Sequence, residues 1–318
     1  MTLAPIQRIR FFRKTLLIIL TLFATTASAH NKVVVIPMSG NDLKPLKNVV
    51  TVAKANGDYS DPVAALNSIT NASAVNPYLI VIAPGVYTVT SALVMKPWVD
   101  IAGSGQDVTF IKGAVSSNSR DATSAVVSGM NAAELSDLTV ENTGGSTYSI
   151  AIFNSYTSPR LMRVTVTAAG GASNYGIYNY LSSSPTMTQV TAAAGGGINN
   201  YAIYNASFSS PMMTQVTATA SGGGSNYGVF NLNHSSPRIM MVTADANGGT
   251  GNNYGVYNWD TTAAPFIENS FLKGTTAGIF IGSDGTRIVN TRIDGGVSDF
   301  GGTQCLGAYD QDLNIVNC

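Results

Sequence analysis

A segment of about 26 residues recurs with little change between residues 146 and 271 of this 318-residue chain. Each copy contains an aromatic block that ends in asparagine, then a serine and proline turn, then a short aliphatic block. The block-ending asparagines are Asn154, Asn179, Asn205, Asn231 and Asn258. A fixed period of this size is typical of a solenoid, in which each repeat buries its apolar side by stacking on its neighbours. The chain is therefore predicted to be an elongated stack of coils.

The aliphatic block of each repeat predicts where the chain bends. An aliphatic residue such as Met187 is followed by a polar residue at +2, Gln189, and by a small or aliphatic residue at +5, Ala192. Side chains alternate between the two faces of a straight strand, so residues five apart would face opposite sides. Both can face the interior only if the chain bends between them. We therefore expect a bend near each +2 residue.

The aromatic block, exemplified by Tyr175–Asn179, predicts one inward and one outward row. If Ile177 faces the interior, alternation places Tyr178 outside and Asn179 inside. The asparagines are then expected to form an internal ladder of amide hydrogen bonds. The outward aromatic row comprises Tyr178, Tyr204, Phe230 and Tyr257.

This outward row is the one ligand-binding site that the sequence predicts. Aromatic rings spaced along a flat sheet can stack on the apolar faces of sugar units. The alternative is cross-strand stacking that only stiffens the sheet, at up to about 1 kcal/mol per pair. The sequence leaves both interpretations open.

Residues 1–29 are predicted to be a signal peptide. Four basic residues precede the apolar stretch Thr15–Ala24, and Ala27-Ser28-Ala29 supplies the small residues of a cleavage site. The apolar stretch is shorter than the roughly 20 residues that span a bilayer. We therefore expect a secreted protein, periplasmic or extracellular, without a transmembrane segment. Residues 30–318 are expected to form a single domain, with the repeat array at about 146–272 and further coils at 273–318.

The charge of the mature chain disfavours nucleic acid as a partner. Removal of the four basic leader residues leaves 13 Lys and Arg against 17 Asp and Glu, a net charge of −4. No basic cluster remains to neutralise phosphates or an anionic membrane surface. No cofactor motif and no metal-ligating cluster is predicted.

Both cysteines, Cys305 and Cys318, lie near the carboxyl end. In an exported chain, an even number of cysteines at short spacing favours a disulfide over metal binding or thiol catalysis. Closing such a loop stabilises the fold by roughly 3 kcal/mol. Two free thiols are the alternative.

The segment before the repeats is expected to begin the fold. Residues 49–53, 78–82 and 86–89 are predicted strands. Residues 61–69 are a predicted short helix, because Asp61 can cap it and Pro62 suits its first position. Such a helix would cover the open end of the solenoid and hide strand edges.

Seven short segments of this N-terminal region form a series in chain order: Thr51–Lys54, Gly57–Tyr59, Ala64–Asn67, Ala83–Tyr87, Ile101–Gly105, Ala125–Gly129 and Leu138–Gly145. In this series the chain resembles pectinesterases, over roughly residues 49–152. The resemblance implies a right-handed parallel β-helix of the pectin-lyase type, and its matching positions are strand and turn residues.

The residues that the resemblance implies for catalysis are missing. The family places a Gln at the start of the strand that reads Tyr148–Ile152 here, and a Gln-Asp pair where this chain has Ser173–Tyr175. No catalytic residue is predicted for that reason. The sequence thus favours an all-β, exported binding or surface-structural protein directed toward polysaccharide. The alternative is a carbohydrate-active enzyme of the pectinesterase or pectate-lyase type acting on pectin-like polysaccharide.

Overall fold

The computed structural model describes residues 48–282, 285–299 and 303–316. The predicted signal peptide and Cys318 lie outside these ranges, so the cleavage site and the disulfide with Cys305 remain predictions. Within the described ranges, no helix is long and apolar enough to cross a membrane.

The described chain winds as a right-handed parallel β-helix with coils of about 26 residues, as predicted. Each full coil contributes strands to three faces, which we call A, B and C. Face A contains β1 (Asn48–Val52), β2 (Tyr78–Ile82), β5 (Val99–Ala102), β12 (Thr186–Thr188), β15 (Met212–Thr214), β18 (Arg238–Met240), β21 (Phe266–Glu268), β24 (Arg287–Val289) and β27 (Gln304–Leu306). Face B contains β3 (Gly85–Val89), β6 (Thr109–Gly113), β13 (Thr191–Gly195), β16 (Thr217–Ser221), β19 (Thr243–Asn247), β22 (Phe271–Gly274) and β25 (Arg292–Asp294).

Two long strands, β8 (Glu134–Asn142) and β10 (Arg160–Ala169), run through both faces and join them into one sheet. Face C is a separate nine-stranded sheet. It contains β4 (Leu93–Val94), β7 (Ala125–Ser128), β9 (Tyr148–Ser155), β11 (Ser173–Tyr180), β14 (Asn199–Ala206), β17 (Ser225–Leu232), β20 (Asn253–Asn258), β23 (Ala277–Ile281) and β26 (Val297–Asp299).

The predicted bend residues lie where face A turns into face B. Each has a positive φ, between 45° and 56°, so a single left-handed residue turns the chain. The aliphatic residues on either side, such as Met187 and Ala192, are fully buried in the interior. We call this set the bend row: Asp137, Arg163, Gln189, Gln215, Met241, Asn269 and Asn290.

The predicted asparagine ladder is present inside face C. The Nδ2 atoms of Asn154, Asn179, Asn205 and Asn231 each donate to the Oδ1 of the next ladder residue, at 2.8, 2.8, 2.9 and 2.8 Å. All of these side chains, and that of Asn258, are fully buried. The amides therefore satisfy one another across the coils, as buried polar groups require.

A second buried ladder, which the sequence did not predict, stabilises the turns before face C. Asn174 donates to Asn200, Asn200 to Asn226 and Asn226 to Asn253, at 2.9, 2.9 and 2.7 Å. Three of these amides also bond a glycine of the preceding turn, accepting from its N–H and donating to its carbonyl: Asn174 with Gly171, Asn200 with Gly197 and Asn253 with Gly249. The ladder thus fixes the turn as well as the coil spacing.

The short helix is also confirmed. Helix α1 (Pro62–Ser68) begins after Asp61, whose carboxylate accepts a hydrogen bond from Val63 N–H at 2.9 Å. Leu66 and Ile69 are buried against the interior core. The helix packs on β1, β2 and β4, at the N-terminal end of the described stack.

Candidate functional site

The predicted aromatic row lies on the outer side of face C, but its rings are buried. Ile177 belongs to the interior core, and Tyr178, the next residue, belongs to a separate aromatic cluster outside the sheet. Exposed fractions are 1% for Tyr178, 4% for Tyr204, 8% for Phe230 and 6% for Tyr257. Little ring surface is left for a sugar, so ligand binding by this row remains a prediction.

A neighbouring row of tyrosines covers the predicted row. Tyr175 and its equivalents Tyr201, Tyr227 and Tyr254 lie on the same outer side. Tyr201 meets Tyr204 edge to face, with centroids 5.0 Å apart, and stacks on Tyr175 at 4.9 Å. Within the predicted row, Tyr204 stacks on Phe230 at 4.9 Å. The two rows interlock and form one aromatic layer, which matches the stiffening interpretation more closely than the sugar-binding one.

The Arg120 side chain contacts this aromatic layer near its N-terminal end. The Arg120 guanidinium lies 5.3 Å from the Tyr178 ring centroid and 5.5 Å from that of Tyr204. Its Nη1 donates to the Tyr175 hydroxyl at 3.4 Å. Burial lowers the pKa of Arg120, but the bond and charge of Tyr175 outweigh it, so the pKa is raised. Burial raises the pKa of Tyr204 to about 12, against the opposing effect of Arg120. At neutral pH the guanidinium is charged and the phenol neutral, as a cation–π contact requires.

Exposed aromatic rings occur instead at the turn between faces C and A. Tyr156, Ser182, Phe208 and His234 occupy equivalent turn positions, each with a positive φ between 56° and 67°. Tyr156 is 68% exposed and Phe208 is 60% exposed. His234 stacks on Phe208 with centroids 4.6 Å apart and planes 16° apart. We call these four positions the ring ridge.

Buried serine side chains hold the backbone of the ring ridge by hydrogen bonds between coils. Ser183 and Ser209 are fully buried, and the hydroxyl of each accepts a hydrogen bond from a backbone N–H of the preceding coil. The N–H donors are those of Thr157 and Ser183, both at 3.1 Å. Each exposed ring therefore stands on a backbone tied to its neighbours, which limits the conformational entropy lost on binding.

The bend row is accompanied, in parallel register, by a second row of residues, which we call the threonine row; we call the strip between the two rows the furrow. At the last coils this strip is an open groove of about 530 Å³, lined by Met241, Asn269, Phe271, Arg292 and Tyr309 among others. The threonine row is Thr139, Thr165, Thr191, Thr217 and Thr243, continued by Phe271, Arg292 and Tyr309.

A carboxylate pair, which the sequence did not predict, lies on face A. The Asp100 carboxylate accepts a hydrogen bond from Glu134 N–H at 2.8 Å, and Arg160 forms an ion pair with Glu134 at 3.3 Å. Burial raises the pKa of both carboxyls above the ordinary range, and Arg160 only partly opposes this. In the sequence, each of these two acids directly precedes an aligned aliphatic residue, Ile101 and Leu135, which pair in register.

Most other acidic residues of the described coils hold structural partners. Asp245 pairs with Lys273, and Asp294 accepts two bonds from Arg292, both at 2.9 Å. Asp260 accepts from the backbone N–H of Thr262 at 2.9 Å. Within the described ranges, no group of three or more His, Cys, Asp or Glu residues is placed to hold a metal ion.

The fold is similar to that of several solved structures at low sequence identity. The A-module of mannuronan C-5 epimerase AlgE6 from Azotobacter vinelandii is 14% identical, with a TM-score of 0.50 over 79% of this chain and 86% of that chain. Pectin methylesterase PemA from Erwinia chrysanthemi is 12% identical, with a TM-score of 0.49 over 86% and 91%. ORF18 of Geobacillus virus E2 is 14% identical, with a TM-score of 0.49 over 82% and 60%.

No protein-family model and no curated protein matches the chain. At these identities the solved structures bear on the fold alone. Among the three, the AlgE6 A-module agrees with the predicted pectin-lyase-like right-handed parallel β-helix.

Proposed function

We propose that this protein is an exported β-helix that binds polysaccharide through the ring ridge. The observation that carries the proposal is the exposure of Tyr156 and Phe208, at 68% and 60%, on a turn tied to its neighbours by hydrogen bonds.

The geometry of Phe208 favours a sugar ring as the bound unit. His234 covers one face of Phe208, on the side of the following coil. The other face is directed toward the preceding coil, where the equivalent residue is only Ser182. Tyr156 stands one coil further, so about 9.6 Å separates the two aromatic positions at the usual strand spacing. Van der Waals contacts of about 3.7 Å on each side leave about 2 Å for the thickness of a bound group. A puckered sugar ring fills this thickness, whereas a flat aromatic ring does not.

The test is binding to a panel of insoluble polysaccharides by pull-down. Phe208→Ser with Tyr156→Ser is the matched variant, because Ser182 shows that serine fits this position. We expect at least about tenfold weaker binding with an unchanged melting temperature. Val75→Ala, which trims an 83% exposed side chain far from the ridge, is the control. Equal binding by the double variant and the control would overturn the proposal.

Export is tested separately by fractionating cells that express the full chain. Mature protein that begins near His30, outside the cytoplasm, is the expected result. An uncleaved chain in the cytoplasm would overturn this part of the proposal.

A second candidate function is a carbohydrate-active enzyme, favoured by the Asp100–Glu134 pair. Adjacent carboxyls whose pKa values are raised are suited to acid and base roles, and clusters of this kind concentrate in active sites. Release of methanol or of new reducing ends from pectin, lost in Glu134→Gln and kept in Glu141→Gln, would support the enzyme. Activity equal in both variants would exclude this pair as the catalytic group.

A further inference from the structure

We infer that the furrow between faces A and B binds an uncharged, hydroxyl-rich polysaccharide chain lying along the helix axis. The inference rests on the proposed function only in its ligand class, since the furrow and the ring ridge lie at different corners of the coil. The furrow comprises the bend row and the threonine row.

Apart from Thr139 and Thr165, which both bond Gln106, the polar side chains of the two rows include groups that the described chain does not use. The amides of Gln189, Gln215, Asn269 and Asn290 are exposed, and none makes a side-chain hydrogen bond within the described residues. An amide offers both donors and an acceptor, as does a hydroxyl. Sugar hydroxyls need partners of both kinds, and the furrow supplies them from both sides.

The repeat places these groups at a constant interval. Thr191 pairs in register with Thr217, and Thr217 with Thr243. Each step is about 4.8 Å, so the four steps from Gln189 to Asn290 extend over about 19 Å. A ladder of this length suits several successive units of one chain better than a single small molecule.

The C-terminal groove adds apolar surface at one end of the ladder. Phe271 and Tyr309 follow the threonines in the same row and line the groove with Met241, which is 49% exposed. Concave sites that combine aromatic walls with a few polar groups are typical of small-molecule and sugar binding. The groove is therefore expected to hold the end of the bound segment.

The ligand is assigned as uncharged because the cations along the furrow are already paired. Arg163 donates to both carboxylate oxygens of Asp137, at 2.5 and 2.8 Å. Arg292 donates to both oxygens of Asp294. Lys273 pairs with Asp245 at 3.6 Å. Tight binding of a polyanion needs cations free to meet it, and breaking a bidentate pair to supply one is costly.

The cations elsewhere on faces A and B are also mostly paired with carboxylates. Lys112, Arg160 and Arg238 pair with Glu141, Glu134 and Glu268. Arg287 and Lys54 have no carboxylate partner among the described residues; the Arg287 guanidinium lies 5.7 Å from the Phe266 ring and the Lys54 ammonium 4.6 Å from the Tyr87 ring, both outside the bend row and the threonine row. The furrow itself is electrically balanced.

The experiment uses affinity electrophoresis of the full mature chain with soluble polysaccharides as probes. Hydroxyethyl cellulose, galactomannan and dextran form the neutral group, and polygalacturonate and alginate the acidic group. We expect retardation by at least one neutral probe and at least about tenfold weaker retardation by both acidic ones. Binding should be unchanged between about 50 and 500 mM salt, because no ion pair forms.

Two matched double variants decide whether the furrow is responsible, since the chain itself holds Met241 and Arg163 at the same bend position. Gln189→Met with Gln215→Met should weaken neutral binding about tenfold or more. Gln189→Arg with Gln215→Arg adds unpaired cations and should create salt-sensitive binding of polygalacturonate. Val75→Ala should behave as the unmodified protein.

The possible outcomes separate the two claims. Neutral binding that both Gln variants leave unchanged, or salt-sensitive binding of acidic probes by the unmodified chain, overturns the furrow inference and leaves the proposed function standing. Absence of binding to any polysaccharide overturns both.

Discussion

At the scale of single residues, the polarity of the asparagine ladder has a structural consequence. Each Nδ2 donates toward the C-terminal end, so the first Oδ1, that of Asn154, receives no donor among the described residues. In the coil before it stands Gly129, where a Cβ would clash with this oxygen. The ladder therefore begins at Asn154, and its interior members each hold two partners.

The first prediction concerns an interior member. Asn205→Ala removes the acceptor of Asn179 Nδ2 and the donor to Asn231 Oδ1, and leaves both groups buried. We expect the free energy of unfolding to fall by roughly 3 kcal/mol, the cost of two unsatisfied buried groups. Urea denaturation provides the measurement. Asn252→Ala, an exposed amide, is the control and should change stability by less than about 0.5 kcal/mol. Equal losses would show that the ladder contributes little.

The second prediction concerns pH. The folded pKa of Asp100 is raised, mainly by burial, so its unfavourable contribution is absent below its ordinary value of 3.8 and develops as pH rises through the folded pKa. Asp100→Asn keeps an oxygen for Glu134 N–H and removes the charge. We expect a higher melting temperature than wild type at pH 7, with a difference that disappears below about pH 4.

Asp260→Asn should show the opposite sign. Burial raises the pKa of Asp260, but hydrogen bonds from Thr262 and Asn233 outweigh it, so the pKa is lowered. Its stabilising contribution is present at neutral pH and is lost as pH falls through the folded pKa. Thermal melts at intervals from about pH 2 to about pH 8 provide the measurement. If both variants raise the melting temperature at pH 7, or both lower it, the opposite pKa shifts assigned to Asp100 and Asp260 are contradicted.

At the scale of elements, face C shows what alternation can and cannot predict. Ile177 and Asn179 face the interior and Tyr178 faces outward, as expected. The strict alternation is broken just before Ile177, however. In the next coil, the two consecutive residues Ala202 and Ile203 both face the interior. The residue before them, Tyr201, therefore lies on the outer side, together with the predicted row. The sequence indicated the face of the Tyr178 row, but not that the Tyr175 row would lie on the same side and cover it.

The third prediction follows from this covering. Tyr204→Leu removes a ring that contacts Tyr178, Tyr201 and Phe230. We expect a loss of roughly 2–4 kcal/mol in the free energy of unfolding, with polysaccharide binding by the folded protein retained. Tyr204→Phe is the matched control, since Phe230 occupies the equivalent position, and should cost under about 1 kcal/mol. Loss of binding at unchanged stability would instead support the sugar-binding role predicted for this row.

The sequence predicted those features of the fold that depend only on the residue pattern within one repeat. The bend at Gln189 followed from two inward aliphatics five residues apart, and the amide ladder followed from one asparagine per coil. The sites were less accessible. The ring ridge depends on which turn residues are left uncovered, and the Asp100–Glu134 pair joins coils 34 residues apart, outside the regular period.

At the scale of the whole molecule, stability should be a sum over coils. Each coil contacts mainly the coils before and after it, and the ladders, the aromatic layer and the threonine row all continue at one interval. In such an array the total stability depends on the number of coils and on the contacts between neighbours. A change in the register between neighbouring coils should therefore destabilise the fold more than a change in the number of coils.

The fourth prediction tests this directly. Deletion of residues 186–211 removes one full period and joins Pro185 to Met212, so that Asn179 meets Asn231 and Thr165 faces Thr217. We expect a folded β-helix with a cooperative but weaker unfolding transition, seen by circular dichroism and urea titration. Deletion of residues 178–202 is the matched control, because it removes 25 residues and joins Ile177 to Ile203 inside a strand of face C, where no turn absorbs the extra residue and the following side chains shift to the opposite face. That variant should fail to fold. If both deletions fold equally well, register between coils is not what holds the molecule together; if both fail, the coils are not separable units.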